Sequence, residues 1–172
     1  MKELQKGTTT SENELQKLKE NYENQIKSLQ KQLDDSILAE NRALSVLKVS
    51  PIPIVIYDMA GKVDYFNEAF TKVFGWELDE LKGDKIDFVP AESLPETIEA
   101  IKKMVAGAKV ELETTRYTKD RKILTVQVSA GSFNDKSGQL IGTFVILRDI
   151  TEQKRLAEEL KANEERYSSV LA

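Results

Sequence analysis

The chain has 172 residues, of which 40% are hydrophobic and 31% are charged, and its net charge is −4. This composition is typical of a water-soluble domain, and the negative charge gives no electrostatic reason to expect nucleic-acid binding. The sequence contains no cysteine and no histidine. Thiol nucleophiles, thioether-linked chromophores, thiolate or imidazole metal sites and the usual haem ligand are therefore excluded. No apolar run approaches the ~18 residues that cross a bilayer, so we expect a cytoplasmic location and no membrane contact from this stretch.

The first 48 residues predict a tail followed by one long helix. Residues 1–10 are polar and include glycine and three threonines, which predicts a disordered tail. Ser11 and Glu14 match a capping box, so the helix is expected over residues 11–48. Along it an apolar residue recurs mostly every three or four positions: Leu15, Leu18, Tyr22, Ile26, Leu29, Leu33, Ile37 and Leu44.

This apolar stripe is too long to be buried against one small domain, because a helix of about 37 residues spans about 55 Å. A parallel two-stranded coiled coil would bury it and would make the protein a homodimer. A helix folded back onto its own domain and an antiparallel pairing are the alternatives.

The middle of the chain predicts an α+β domain over residues 49–151. Pro51 and Pro53 end the long helix. Two short strands with a turn at Gly61 follow, then a short helix capped by Asn67 and single-turn elements. A longer helix follows, whose inward face is expected to carry four apolar side chains: Leu94, Ile98, Ile101 and Val105. Three strands complete the domain.

The last strand leads directly into a helix without a linker. Residues 143–147 are apolar and β-branched, whereas strong helix formers begin at Glu152. Asp149 or Thr151 can serve as the N-cap between them. Such a junction is suited to passing a conformational change from the sheet to a linker helix over residues 152–172.

The order of these elements resembles the PAS family of sensor domains. The motifs that carry the resemblance are Asp58 with Gly61, Asn67–Phe70, Gly75–Trp76, Glu80–Gly83 and Asp149–Ile150–Thr151. The family commonly has Asp-Gly where this chain has Asp120-Arg121, so that hairpin is expected to use a different turn type. The resemblance implies a PAS fold, with a five-stranded antiparallel sheet and short helices on one face. It also implies a non-catalytic sensory or relay module, with signal coupling at Asp149, Ile150 and Thr151.

A short internal repeat extends this interpretation. Residues 40–47 (ENRALSVL) match residues 164–171 (EERYSSVL) at five of eight positions. The first copy precedes the PAS-like stretch, so we expect the second to lead into another PAS domain outside this chain. The resemblance implies a parent signalling protein of a two-component or related system, with an output domain such as a histidine kinase or diguanylate cyclase.

A PAS sheet and its helices can enclose a small-molecule pocket. The residues expected to line it are Trp76, Phe88, Leu112, Thr114, Arg116 and Val126. Trp76 could stack on a non-covalent flavin or belong to the core, and Arg116 could hold an anionic ligand or form a surface ion pair. No cofactor is expected. A small-molecule receptor and a passive dimerisation spacer are therefore the alternatives to a signal relay.

Overall fold

The computed structural model describes the backbone of residues 2–171 and the side chains of residues 13–167. The elements, in chain order, are α1 (Lys2–Val49), β1 (Ile54–Tyr57), β2 (Val63–Phe66), α2 (Glu68–Phe74), α3 (Leu78–Leu81), a 3₁₀ turn (Ala91–Ser93), α4 (Leu94–Val105), β3 (Val110–Tyr117), β4 (Ile123–Asn134), β5 (Leu140–Asp149) and α5 (Thr151–Leu171). The chain divides into two compact units, one up to Val46 and the other from Leu47 onward.

The first unit is most of helix α1. This helix begins at Lys2, so the prediction of a disordered tail over residues 1–10 is corrected for residues 2–10, while Met1 lies outside the described residues. No proline occurs in this stretch, and extending a helix by one residue is far easier than nucleating one. The predicted apolar stripe is solvent-exposed from Leu15 to Ile37 in the single chain, and Leu44 is half-buried.

The second unit contains a five-stranded antiparallel sheet in the order β2-β1-β5-β4-β3. The predicted α+β fold is confirmed. Alternation places the buried side chains of each strand on the face that meets the helices. The largest of the fully buried side chains there are Phe70, Phe74, Leu147, Val55, Val63 and Val126. Stacked and edge-on contacts among Phe66, Phe70 and Phe74 and their neighbours join α2 to this core.

Helix α4 is rotated from the orientation that the sequence predicts. Leu94, Ile98, Ile101 and Val105 are each 45–48% exposed, so the prediction that they face inward is wrong for Leu94 and Ile98. Ile101 and Val105 are half exposed but also line the interior cavity described below. Met104 is buried instead, with Thr97 and Ala100 half-buried. The apolar period identified a stripe correctly, but the side chains of α4 that pack into the core are those next to it, Met104 and Ala100.

The turn between β3 and β4 keeps a glycine-like conformation without a glycine. Arg121 has a φ of 66°, the positive value typical of glycine in such turns. Thr118 and Lys122 close the turn through a backbone hydrogen bond of 2.8 Å. The sequence Asp120-Arg121 predicted a turn type different from that of the family's Asp-Gly. This prediction is wrong, because Arg121 adopts the positive φ expected of that glycine. Its side chain makes an ion pair with Asp87 and lies over the ring of Tyr117.

Asn67 connects the start of the domain to its core. The prediction that it caps α2 is confirmed, since its Oδ1 accepts from the N–H of Phe70. The same oxygen accepts from the N–H of Ile54, and Nδ2 donates to the carbonyls of Leu47 and Ile52 at 3.1 and 2.9 Å. One buried side chain thus fixes the segment that leads into β1.

Candidate functional site

A cavity of about 250 Å³ lies between the inner face of the sheet and the helices. Three of the six residues predicted for a pocket line it, namely Phe88, Leu112 and Arg116. The prediction is wrong for the other three, Trp76, Thr114 and Val126, which do not line the cavity. Trp76 packs against Phe70 and Phe88, and Thr114 and Val126 are buried elsewhere in the core region.

Arg116 is the buried charge of this cavity, because only 5% of it is exposed. Nη1 donates to the hydroxyl of Thr114 at 3.1 Å and to the carbonyl of Thr115 at 2.7 Å, and Nη2 donates to Thr97 at 3.1 Å. Its Cζ lies 5.5 Å from the ring centroid of Phe88. Among the described side chains no carboxylate forms an ion pair with it. The surface ion pair considered for Arg116 is therefore wrong.

Tyr57 lies on the β1 side of the same cavity. Burial raises the pKa of the Tyr57 phenol well above its usual value, and the nearby charge of Arg116 opposes this only in part. Burial likewise lowers the pKa of the Arg116 guanidinium, against the opposing influence of Tyr57 and Glu96. At neutral pH the cavity therefore holds a neutral phenol and a guanidinium that keeps its charge.

The cavity has a mouth. Met59, Ile101 and Val105 line it and yet are 51%, 47% and 47% exposed. They belong to the β1–β2 turn and to α4. A small molecule can therefore reach the interior between these two elements.

The predicted coupling residues lie together at the beginning of α5. Asp149 accepts a hydrogen bond of 2.9 Å from the N–H of Thr151, as an N-terminal cap does. The hydroxyl of Thr151 does not cap the helix but bonds to Thr125 of β4, accepting from its N–H at 2.9 Å. The N–H of Ile150 donates to the carbonyl of Thr125, also at 2.9 Å, and the side chain of Ile150 is buried. The beginning of α5 is thus hydrogen-bonded to β4, which β5 separates from β1 in the sheet.

Comparison with known proteins decides the family. A sequence profile described as the PAS fold matches residues 47–155. The chain belongs to the PAS family. A search of curated proteins found no relative that matches it.

Solved structures resemble this PAS domain in fold, at sequence identities too low to show more than the fold. The PAS domain of a protein from Colwellia psychrerythraea is 20% identical with a TM-score of 0.61, over 67% of this chain and 98% of that one. A sensory box histidine kinase/response regulator from Burkholderia thailandensis is 16% identical with a TM-score of 0.57, over 74% and 98%. An RNA-binding light-oxygen-voltage receptor is 20% identical with a TM-score of 0.62, over 77% of this chain but only 39% of that one.

Sequence reasoning missed several residues of the PAS cavity. Tyr57, Met104 and Leu147 line it, and strand alternation alone could have indicated Tyr57 and Leu147. Met104 was hidden by the incorrect orientation assumed for α4. Among the described residues there is no group of carboxylates that could hold a metal ion and no helix long and apolar enough to cross a membrane.

Proposed function

We propose that this chain is a sensory relay module of a larger signalling protein and passes a conformational change from the PAS sheet to helix α5 at Asp149, Ile150 and Thr151. The observation that carries the proposal is the double connection of Ile150 and Thr151 to Thr125. Both bonds join the beginning of the helix to the backbone of β4. A shift of β4 relative to β5 therefore changes the position or direction of α5.

Thr125 also lies close to the cavity wall along the sheet. It pairs with Thr115 of β3, whose carbonyl accepts from Arg116. A contiguous set of hydrogen bonds and strand pairings thus runs from the cavity to the helix. Energetic coupling along it requires two arrangements of the sheet that the input biases differently.

The assembly we propose is a homodimer formed through α1, because its exposed apolar stripe needs a partner. Its output is a domain outside this chain, such as a histidine kinase or diguanylate cyclase, and the sequence repeat supports a second PAS domain between them. The similarity in fold to a sensory box histidine kinase/response regulator supports a kinase as one candidate for that output.

The relay is tested in the intact signalling protein with Asp149→Ala and Thr151→Ala combined. We expect output that no longer follows the input, while the isolated domain still folds, because loss of the Asp149 cap costs about 1 kcal/mol and loss of the Thr151 hydrogen bond about 1–2 kcal/mol. The matched control is Asp135→Ala, which removes an equivalent turn carboxylate in the β4–β5 hairpin. Normal, signal-dependent output from the double variant would show a passive spacer.

A small-molecule receptor is the second candidate function. The cavity of about 250 Å³ with a half-exposed mouth favours it. The relay and the receptor are compatible, because a ligand could be the input that the relay transmits.

A further inference from the structure

The inner wall of the cavity carries a positive charge without a direct counter-ion. Arg116 is 5% exposed, and a guanidinium keeps its proton in proteins. Burying a charge is costly unless it is paired. Position 116 of β3 could hold an apolar residue, like its neighbours Val110 and Leu112 on the same face. A buried charge at this position therefore indicates a function.

The guanidinium also has unused donors. Of the five N–H groups of an arginine side chain, two on Nη1 and one on Nη2 are bonded to threonine hydroxyls and a carbonyl. Nε is buried and has no hydrogen-bond partner. Nε and Nη2 form one edge of the planar group, whose spacing fits the two oxygens of a carboxylate.

Glu96 supplies part of the missing negative charge. Its carboxylate accepts a hydrogen bond from Thr114, whose hydroxyl in turn accepts from Arg116. This contact is indirect and leaves Nε unsatisfied. The other charged groups that line the cavity are Asp58 and Lys85, which are exposed and opposite in sign.

The remaining wall sets the size and character of a ligand. Apart from Arg116, Tyr57 and two threonines, the interior side chains are aliphatic or aromatic, among them Phe88, Met104 and Leu147. A volume of about 250 Å³ holds about eight groups the size of water, at ~30 Å³ each. That is below the size range typical of pockets for drug-sized ligands.

We propose that this cavity binds a small monocarboxylic acid, with its carboxylate on the guanidinium of Arg116 and its apolar body against Phe88, Met104 and Leu147. The proposal deepens the function proposed above by naming the chemical class of the input. Binding is measured on this chain alone. A failure to bind would therefore leave the relay at Thr151 untouched, and a failed relay would leave the binding result intact.

The experiment pairs each acid with its amide. The purified chain is unfolded, dialysed and refolded to remove any bound molecule, and is then titrated with propionate, hexanoate, benzoate and phenylacetate and with the four corresponding amides. The melting temperature and the heat of binding are recorded. We expect at least one acid to raise the melting temperature with concentration and to bind about tenfold to a hundredfold more tightly than its amide, as expected for a charge-assisted hydrogen bond.

Two variants in the cavity and one control variant outside it locate the site. Arg116→Met should weaken binding of that acid about tenfold or more, whereas Arg148→Met, which removes an exposed charge from β5, should leave it unchanged. Ala100→Leu fills part of the cavity from α4 and should also weaken binding while Arg116 remains. If Arg116→Met does not fold, the acid–amide comparison and Ala100→Leu decide. No binding by any of the acids, equal binding of acids and amides, or equal loss in Arg148→Met would overturn the proposal.

Discussion

The hydroxyl of Thr151, the first residue of α5, accepts a hydrogen bond of 2.9 Å from the backbone N–H of Thr125. Thr151→Val keeps the shape of the side chain but leaves this partly buried N–H without a partner. We expect the free energy of unfolding to fall by about 1–2 kcal/mol. Thr151→Ser retains the hydroxyl and should lose less. Urea unfolding of both variants measures the difference, and equal stability would show that the bond contributes nothing.

The buried amide of Asn67 provides a second test. In Asn67→Asp the introduced carboxylate faces the carbonyls of Leu47 and Ile52 that the amide now donates to. We expect a loss of about 2–4 kcal/mol at pH 7. These surroundings raise the pKa of the new carboxyl above its unfolded value of about 3.9. The deficit should therefore be smallest below about pH 4 and grow as the pH rises through the folded pKa. Asn134→Asp, at an exposed position, is the control. Urea unfolding at pH 7 and below about pH 4 should show neither the loss of stability nor its dependence on pH.

Gly142 of β5 lies too close to its neighbours for any side chain to fit. A Cβ there would be 2.5 Å from the ring of Phe133 and 2.8 Å from the backbone oxygen of Tyr57. Because a backbone atom cannot rotate away, Gly142→Ala should cost about 1–3 kcal/mol. Gly131→Ala meets only the ring of Phe144, which can move, and should cost less. Thermal melting of the two variants gives the order, and a reversed order would contradict the packing described.

Glu80 provides a test by pH. Its hydrogen bonds with the Lys119 ammonium and with the N–H of Glu77 hold the pKa of the Glu80 carboxyl below its usual 4.5. A lowered folded pKa means that the contribution is present above pH 4.5 and is lost as the pH falls through the folded pKa. Wild type should therefore melt above Glu80→Gln at pH 6, and the gap should narrow below pH 4.5. Asp79→Asn, in the same turn, is the control, and a gap independent of pH would contradict this role.

The exposed stripe of α1 predicts a dimer. Ile26→Glu places a charge within the stripe and should shift the chain towards monomer in sedimentation equilibrium at micromolar concentration. Asn24→Glu adds the same charge on the opposite side of the helix and should leave the mass unchanged. Wild-type protein that is monomeric at high micromolar concentration would contradict the proposed assembly.

Much of the fold was predictable because its signals are local. Proline stops, the cap at Asn67 and the strand alternation on β3 and β4 each depend on neighbouring residues. The orientation of α4 was not predictable, because Leu94 and Met104 are equally suited to a core and only the shape of the sheet chooses between them. The burial of Arg116 was missed for a related reason: its partners Thr97 and Phe88 are distant in sequence and are supplied by tertiary contact. Arg121 shows the converse, since the turn imposes a conformation that its own side chain disfavours.

The strand order has a genetic consequence. β1 begins at Ile54 opposite Ile146, and β5 ends only three residues later at Asp149. The chain thus arrives and departs on adjacent strands at the same end of the sheet, about 5 Å apart across the ladder. A domain whose two ends lie close together can be duplicated, or inserted into another protein, without separating the polypeptide segments that flank it. A circular permutant that joins these boundaries would need only a short bridging peptide.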